Sequence, residues 1–478
     1  MRLPVVGWSR LCRVGIRLLA TAGMWCLLLA PLLVASLPAA ADTVEWALAA
    51  AYQSNPQLNV QRAIVRETDE QVPQALSGYR PRISATATAG MISGSETEYF
   101  PGSPPVVITG NALPTASAGL TAVQILYNGF QNANRTRAAE SQVSAARAAL
   151  QNTEQTVLLN ALTAYMNLLR DYASLELQKR NVAVLQQELR QTRDRFKLGD
   201  VTATDVSQAE SRLGAGETQV LIAQANYETS VAVYRQVIGT QPGKLGPGTP
   251  VDRFCPQTLE QALELTDHHP SVILAMYNVD FAQLQIKIAE GALQPTLSLQ
   301  GSAQQAWNPA IGVSQTTLLQ GVGQLSVPIY QGGAEFSAVR QQKEGLGQRL
   351  LELELARRQI RQGIAQAWSQ FLSSKSQIKT TDIQVKAAEN ALNGVRREAL
   401  VGQRTTLDVL NAEQELVNAR VAVVTAERDR VVASYTLLAA VGRLSPQVLG
   451  LNVESYDPNV HYQQVRDAWV GLRTPDGK

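Results

Sequence analysis

Two short stretches, LGDVTATDV at residues 198–206 and VGQRTTLDV at residues 401–409, interrupt long helical patterns in the same way. Both follow the pattern G-x-x-T-x-x-D-V, and their glycines, Gly199 and Gly402, lie 203 residues apart. A break at the same place in two long patterns predicts that the chain holds two copies of one structural plan.

Other stretches recur in the same order in both halves of the chain. The pairs are TVEWALAAAYQSNP (43–56) with TLEQALELTDHHP (258–270), YRPRISATATAG (79–90) with LQPTLSLQGSAQ (293–304), and LYNGFQ (126–131) with IYQGGA (329–334). They predict a first repeat over 42–245 and a second over 258–450. A Gly- and Pro-rich bridge over 246–257 joins the repeats, and a C-terminal segment follows over 451–478.

Apolar residues follow a heptad pattern with one four-residue stutter before each break, which is typical of a coiled coil. The nine positions of the first copy each have an apolar counterpart 203 residues later: Val143, Leu150, Val157, Ala164, Leu168, Leu175, Val182, Leu189 and Phe196, then Leu346, Leu353, Ile360, Ala367, Phe371, Ile378, Val385, Leu392 and Ala399. Proline is absent from 115–241 and from 329–445. Residues 131–196 therefore predict a helix of about 100 Å, since each residue adds ~1.5 Å.

The segments before these helices alternate with period two, as strands do. Residues 82–90, RISATATAG, and 323–330, GQLSVPIY, alternate most clearly, and 120–127 and 296–304 are noisier. Each repeat is expected to hold two strands of about ten residues, which fits a tilted transmembrane strand. Polar loops, SGSETEYFPGSPPVVITGNALPT and QAWNPAIGVSQ, are expected to join them.

The strand pattern alone fits a surface hairpin on a soluble protein equally well. The context favours the membrane, because two hairpins that each precede a helix of about 100 Å leave four strands with an unpartnered apolar face. Four strands cannot close into a barrel around a pore. Several chains would have to contribute, because an open sheet edge in lipid leaves backbone groups without hydrogen bonds.

The first 41 residues predict a cleaved signal peptide. Four arginines precede the apolar stretch LLATAGMWCLLLAPLLVASL, and PAAAD offers a cleavage site before Asp42. The alternative is a retained membrane anchor, which Pro31 and the small residues at the end of the stretch disfavour. Export rests on this segment alone.

Cleavage changes the charge of the chain. The whole chain has 42 basic and 40 acidic residues, and loss of the four arginines leaves a formal net charge of −2. This balance gives no indication of nucleic-acid binding. Cys255 is the one cysteine outside the first 41 residues, so no disulfide within the mature chain is possible.

The order of these features resembles the TolC family of outer-membrane exit ducts over about 42–450. The resemblance rests on YRPRIS, LYNGFQ with IYQGG, RFKLGDVTATDVSQAE and ALVGQRTTLDVLNAEQELVNAR. It implies a mainly α fold with transmembrane β-strands. Three chains would each give four strands to a 12-stranded barrel in the outer membrane, and the helices would continue as a coiled-coil tunnel through the periplasm. The bridge and the C-terminal segment would form a belt around its middle.

The resemblance also implies a function and partners. The homotrimer would be the passive exit duct of a tripartite efflux or type I secretion system. A periplasmic adaptor protein and an inner-membrane ABC or proton-driven transporter would open it at its periplasmic tip. The barrel would contact outer-membrane lipid, and the pump would select most of the cargo.

The residues of each break have a complete structural interpretation. The glycines suit the left-handed end of one helix, and Thr202 and Thr405 suit the N-cap of the next. Asp205 and Asp408, three residues later, complete capping boxes.

The resemblance adds a gating role to this structural one. Asp408 matches an acid that lines the constriction of the tunnel, where three carboxylates would meet and favour cations. Arg404 matches an arginine that holds the closed tip through a partner equivalent to Asp205. The sequence departs from the family pattern at Ala399, where a tyrosine is often found, and at Asn411, where a second acid is expected.

The tip is also the expected contact for the adaptor, with plain packing of the hairpins as the alternative interpretation. The candidate contact residues are Leu198, Gly199, Thr202, Val401, Gly402, Gln403 and Thr405.

Two other classes of function are less compatible with the sequence. An enzyme is not indicated, because there are three histidines and no catalytic, phosphate-binding, cofactor or metal motif. His268 and His269 precede Pro270 as a helix-end turn would require. A periplasmic adaptor is the stronger alternative, but it would hold one coiled-coil hairpin between β-rich domains and would not duplicate it.

Overall fold

A computed structural model describes residues 42–475 and residue 477. The predicted signal peptide, 1–41, lies outside the described residues. No helix in the described part of the chain is both long and apolar enough to cross a bilayer.

Helices and strands follow the same order in the two halves. The first half contains α1 (Val44–Ser54), α2 (Pro56–Asp69), α3 (Gln71–Leu76), β1 (Arg82–Glu98), β2 (Val106–Asn128), α4 (Gln131–Lys197) and α5 (Ala203–Ile238). The second half contains α6 (Leu259–Glu264), α7 (Pro270–Gly291), β3 (Thr296–Ala310), β4 (Val313–Ser326), α8 (Ala334–Leu400) and α9 (Thr406–Ala440). Two short helices close the chain, α10 (Pro446–Leu449) and α11 (Pro458–Val465).

The two long helices are as the heptad pattern predicts. α4 and α8 each span 67 residues without interruption. In α4, seven of the nine heptad positions are buried, while Val182 is half-buried and Phe196 is exposed. In α8 only Leu353, Ala367, Phe371 and Leu392 are buried, and the other five positions are half-buried.

The difference in burial follows from the neighbours of each helix. α4 packs against α5, α7, α9 and the three N-terminal helices, whereas α8 packs mainly against α7 and α9. One flank of α8 is therefore left open in the single chain.

The four strands form one antiparallel sheet in the order β1-β2-β3-β4. The strands span 17, 23, 15 and 14 residues, so the expected length of about ten was too short. Most residues of the expected polar loops belong to strands instead. In the first loop, for example, Val106–Thr109 pair with Ser95–Glu98. The turns are reduced to residues 99–105 and 311–312.

The sheet has two chemically different faces. One cross-strand row consists of Ala85, Leu120, Ala303 and Leu319, all apolar. The adjacent row consists of Ser84, Thr121, Ser302 and Gln320, all polar, and it points to the opposite face because side chains alternate along a strand. An apolar face on a sheet with no layer packed against it fits contact with lipid.

A belt around the middle of the helices contains the largest hydrophobic core. Tyr52, Tyr165 and Tyr234 are fully buried there. The Tyr165 hydroxyl lies 2.6 Å from the carbonyl oxygen of Asp42 and 2.8 Å from that of Gly246, so it ties the bridge to the segment before α1. Burial raises the pKa of Tyr165 to about 12, and the hydroxyl is neutral at physiological pH.

An ion pair with a buried arginine joins the bridge to α9. Arg430 on α9 binds the Asp252 carboxylate, and its guanidinium also lies 4.8 Å from the centre of the Phe371 ring on α8. Next to this pair, the Cys255 thiol is buried, and burial raises its pKa to about 11. The bridge is therefore packed onto the helices.

Candidate functional site at the helical tip

The two breaks fold as tight turns, one between α4 and α5 and one between α8 and α9. Gly199 and Gly402 have φ values of +83° and +78°, in the left-handed region that a residue without Cβ favours. In each turn, the amide after the glycine donates to a carbonyl oxygen five residues earlier, at 3.0 Å in the first turn and 2.9 Å in the second. These bonds satisfy carbonyl groups that a helix end would otherwise leave free.

A capping box starts the helix after each turn. Asp205 Oδ2 accepts from the Thr202 N–H at 2.9 Å, and Thr202 Oγ1 accepts from the Asp205 N–H at 3.3 Å. The pair Thr405 and Asp408 repeats these bonds at 3.0 and 3.3 Å. Each hairpin therefore uses its aspartate to begin a helix.

The second capping box has a definite pH dependence. The Thr405 backbone N–H, and after it the Thr405 hydroxyl, donate to the Asp408 carboxylate and lower its pKa. Because the pKa is lower in the folded chain, the cap stabilises the fold above the ordinary carboxyl pKa. Its contribution is lost as the pH falls through the lowered value.

Arg404 makes its ion pair within its own hairpin. Its Nε lies 2.9 Å from Oε2 of Glu398, in the last turn of α8. Asp205 lines the same groove between the two hairpins, but its carboxylate accepts from Thr202. No hydrogen bond or ion pair joins Arg404 to Asp205 among the described residues. Ala399 also lines this groove.

Asn411 forms a contact between the two hairpins. Arg212 on α5 donates from Nη2 to Asn411 Oδ1 on α9 at 2.6 Å. An amide oxygen accepts from a guanidinium as a carboxylate oxygen does, but without a charge. The departure from the family pattern at this position therefore keeps a polar link between the hairpins and removes one negative charge.

A second link between the hairpins centres on Arg396 of α8. Its Nη2 lies 2.5 Å from Oε1 of Glu413 on α9 and 3.9 Å from Oε1 of Glu188 on α4. Only 4% of Glu413 is exposed. Burial raises the pKa of Glu413, and the hydrogen bond from Arg396 acts in the opposite direction. Arg396 thus holds a buried carboxylate of one hairpin and a half-buried carboxylate of the other.

The cluster of Arg396, Glu413 and Glu188 was not predicted from the sequence, although α9 contains a signal for it. Glu413 lies in a buried stripe with Val409, Leu410 and Leu416, at helical spacing. A charged residue in such a stripe requires a partner. The partner itself could not be read from the sequence, because Arg396 lies on a different helix.

The candidate adaptor contacts lie together at the end of the helices. All seven are exposed: Leu198, Gly199, Thr202, Val401, Gly402, Gln403 and Thr405. Leu198 and Val401 are 78% and 71% exposed, and Leu400, which the sequence analysis did not select, is 87% exposed. The sequence signal that could have identified Leu400 is its position directly after Ala399, the last heptad residue. The tip therefore presents three large apolar side chains to solvent.

His269 has a structural role at the start of a helix. His269 is the N-cap of α7, where its Nδ1 accepts from the Ser271 N–H at 3.1 Å. Burial lowers the pKa of His269, which favours the neutral ring that this bond requires. Within residues 42–475, no group of three or more His, Cys, Asp or Glu side chains is placed to bind a metal ion.

Comparison with known proteins identifies the family. The model of the family described as "Outer membrane efflux protein" matches residues 47–240 and 261–443. The chain is 39% identical over 444 residues to the outer membrane efflux protein BepC of Brucella suis biovar 1, which covers 92% of this chain and 94% of BepC. It is 28% identical over 327 residues to the outer membrane protein TolC of Escherichia coli K12, covering 63% and 64% of the two chains.

A solved structure has the same fold. The Campylobacter jejuni CmeC outer membrane channel superimposes with a TM-score of 0.73 at 16% sequence identity, over 89% of each chain. The resemblance seen in the sequence is thereby confirmed, and the chain belongs to the outer membrane efflux protein family.

Proposed function

We propose that the chain is the passive exit duct of a tripartite efflux or type I secretion system in the outer membrane. The observation that supports this best is the position of a two-faced sheet next to two helices of about 100 Å, which gives one molecule a membrane part and a long periplasmic part. BepC, a relative over nearly the whole chain, is named as an efflux protein. Transport through a water-filled duct needs no catalytic group and no cofactor.

We propose a homotrimer, as the family resemblance implies, and the open edges of the sheet support assembly with further chains. β1 and β4 each have one neighbouring strand, and nearly every residue of both is exposed. In lipid these edges must pair, and three copies would close a barrel of about twelve strands. The open flank of α8 would then pack against a neighbouring subunit.

The alternative, a periplasmic adaptor, is not favoured. Family membership and the membrane-facing sheet both point away from it. The adaptor is proposed here as a partner at the tip, together with an inner-membrane ABC or proton-driven transporter as the source of energy. The repeat boundaries at 42–245 and 258–450, with the bridge at 246–257, stay predictions.

We infer that the closed state of the tip depends on two kinds of contact. Asp408 and Arg404 belong to the second hairpin and would line the constriction, with Asp205 as the expected partner of Arg404 in the trimer. The pair between Arg396 and Glu188 joins the two hairpins of one chain, so the hairpins cannot part without breaking it. Opening would therefore require the loss of links within a chain as well as between chains.

The membrane position of the sheet is tested by placing a charge on either face. Leu319→Arg puts a guanidinium on the apolar face and is expected to destabilise the inserted barrel by about 2–4 kcal/mol near the bilayer centre. Gln320→Arg, one residue away on the polar face, is the matched control and should be tolerated. Urea unfolding of both variants in lipid vesicles measures the difference, and equal midpoints would contradict the assignment of the faces.

The latch is tested by single-channel recording in planar bilayers. Arg404→Ser should open several-fold more often than the parent, because the arginine no longer holds a carboxylate at the tip. Glu398→Gln and Asp205→Asn identify the partner: the variant that reproduces the effect contains the carboxylate that Arg404 binds in the trimer. Unchanged conductance and opening frequency in Arg404→Ser would show that this residue is not a latch.

The Arg396 link is tested with a double variant. Arg396→Ala should lower the free energy of local opening at the tip by about 1 kcal/mol, because the buried Glu413 loses its partner and the pair is partly exposed. The loss should grow as the pH rises through the raised pKa of Glu413, because only above that value does the folded parent carry the buried carboxylate that Arg396 stabilises.

Adding Glu413→Gln removes that charge and should abolish the pH dependence. Amide hydrogen exchange at 392–416 measures both effects. The ordinary pKa of a glutamate is about 4.3, and a range from about pH 4 to about pH 8 covers this value and higher ones. A loss in Arg396→Ala that stays constant over this range would rule out the role assigned to Glu413.

The adaptor contact is tested by cross-linking in cells. A thiol at Gln403→Cys should cross-link to a periplasmic adaptor, because Gln403 is exposed at the tip. Gln377→Cys, on the exposed side of α8 and roughly 35 Å from its end at 1.5 Å per residue, is the control and should react far less. Equal yields at both positions would place the adaptor elsewhere on the helices.

A further inference from the structure

The C-terminal segment extends beyond the largest hydrophobic core. After α10 it runs along α2 and α4, and three of its aromatic rings lie under arginine side chains. The distances from guanidinium carbon to ring centre are 5.4 Å for Arg62 and Tyr456, 5.2 Å for Arg147 and Tyr462, and 4.4 Å for Arg80 and Trp469. The arginines belong to α2, α4 and the approach to β1, so the segment leads from the belt towards the sheet.

Polar and apolar contacts fix this route as far as α11. His461 Nδ1 lies 2.9 Å from the buried Asp69 carboxylate, and Arg147 donates to Asn459 Oδ1 at 2.8 Å. Tyr462 packs against the cluster that contains Val72. The segment is therefore a built part of the fold up to this helix.

The last contact places the chain at the base of the sheet. Arg80 Nη1 donates to the carbonyl oxygen of Ala468 at 2.8 Å, beside the stacked Trp469 ring. β1 begins at Arg82, two residues after Arg80. Trp469 thus lies where the sheet meets the helices.

Beyond this point the chain presents apolar side chains to solvent. Trp469, Val470 and Leu472 are 69%, 94% and 102% exposed. Arg473 follows Leu472 directly. Three large apolar side chains so close together, next to an arginine, are unusual on a surface that faces only water.

We propose that residues 466–475 bind the phospholipid headgroup layer on the periplasmic side of the outer membrane. The sheet, whose apolar face is proposed above to contact lipid, begins two residues after Arg80, the residue that holds this segment, so the segment would continue a lipid-contacting surface. Tryptophan favours the membrane interface, where its ring is half in the apolar layer and its N–H stays hydrated. A guanidinium group such as that of Arg473 suits lipid phosphates, which it binds through paired hydrogen bonds.

This surface is independent of the proposed tip and of the route of the cargo, and it requires only that the sheet be inserted in a membrane. It gives each chain an attachment to the bilayer outside the barrel, at the junction between the rigid sheet and the long helices. In a trimer, three such attachments would surround the base of the barrel.

The test measures the distance of single positions from lipid. An environment-sensitive NBD fluorophore is attached at Val470→Cys in a Cys255→Ala background, and the full-length mature protein is reconstituted in vesicles of phosphatidylethanolamine and phosphatidylglycerol. Lipids with a nitroxide near the headgroup quench a fluorophore in the interfacial layer. Val460→Cys, an exposed position on α11 in the same segment, is the matched control, and Leu319→Cys on the apolar face of the sheet reports insertion.

The proposal predicts quenching at Val470 at least about threefold stronger than at Val460, and the same result at Leu472→Cys as a second labelled position. If Leu319 is quenched while Val470 and Leu472 are quenched no more than Val460, the proposal is wrong and the membrane position of the sheet is unaffected. A blue-shifted emission at Val470 that nitroxide lipids do not quench would mean that a neighbouring subunit covers the patch, which also overturns the proposal.

Discussion

The architecture depends on one constraint, which is that strand edges in lipid have no water to satisfy their N–H and C=O groups. Four strands leave two such edges, so the sheet of one chain is incomplete in a membrane. The same incompleteness appears in the helices, where α4 is surrounded by its own chain and α8 has an open flank. Both features are what the proposed trimer requires, in which each chain is one sector of a closed wall and assembly is part of folding.

The opposite end of the molecule follows a different constraint, because a helix of 67 residues must stop and reverse without exposing its final carbonyl groups. Both hairpins solve this with a left-handed glycine and a Thr and Asp capping box of nearly equal geometry. The backbone of the turn thus requires the glycine, the threonine and the aspartate. It places no such requirement on the two residues between the glycine and the threonine, which differ between the hairpins. These two residues are Asp200 and Val201 in the first hairpin, and Gln403 and Arg404 in the second.

The sequence was most informative where local physics determines structure. Heptads and absent prolines predict the long helices, and Gly and Thr spacing predicts both turns. It was less informative in the sheet, where Pro114 and Pro309 suggested loops. Pro309 lies within the register shift between Trp307 and Ala310, next to Asn308 with its positive φ, where a missing N–H is tolerated. Pro114 pairs in register with Met91, close to the shift between Ile92 and Gly94.

The ion pairs between hairpins were beyond prediction for a related reason. Arg396 and Glu188 are 208 residues apart, and their meeting depends on how one coiled coil rests on the other. A heptad pattern fixes which face of a helix is buried, but it does not fix the axial offset between two separate hairpins. A contact within a hairpin, such as that of Arg404 with Glu398, lies close to a predicted break in the sequence. A contact between hairpins can be identified only when the relative position of the two hairpins is known.

The two hairpins therefore share a backbone design and differ in the polar side chains that join them. The first contributes Glu188 and Arg212, which reach across to the second. The second contributes Arg396, Glu413 and Asn411, and one of these groups, Glu413, is almost fully buried. A buried carboxylate is stable only while its arginine stays in place, so movement of α8 relative to α9 would be costly, and the second hairpin should move as a unit. Separation of the hairpins instead breaks the longer, more exposed contact of 3.9 Å to Glu188, which costs less. The distribution of burial around Arg396 thus favours opening between hairpins over opening within one.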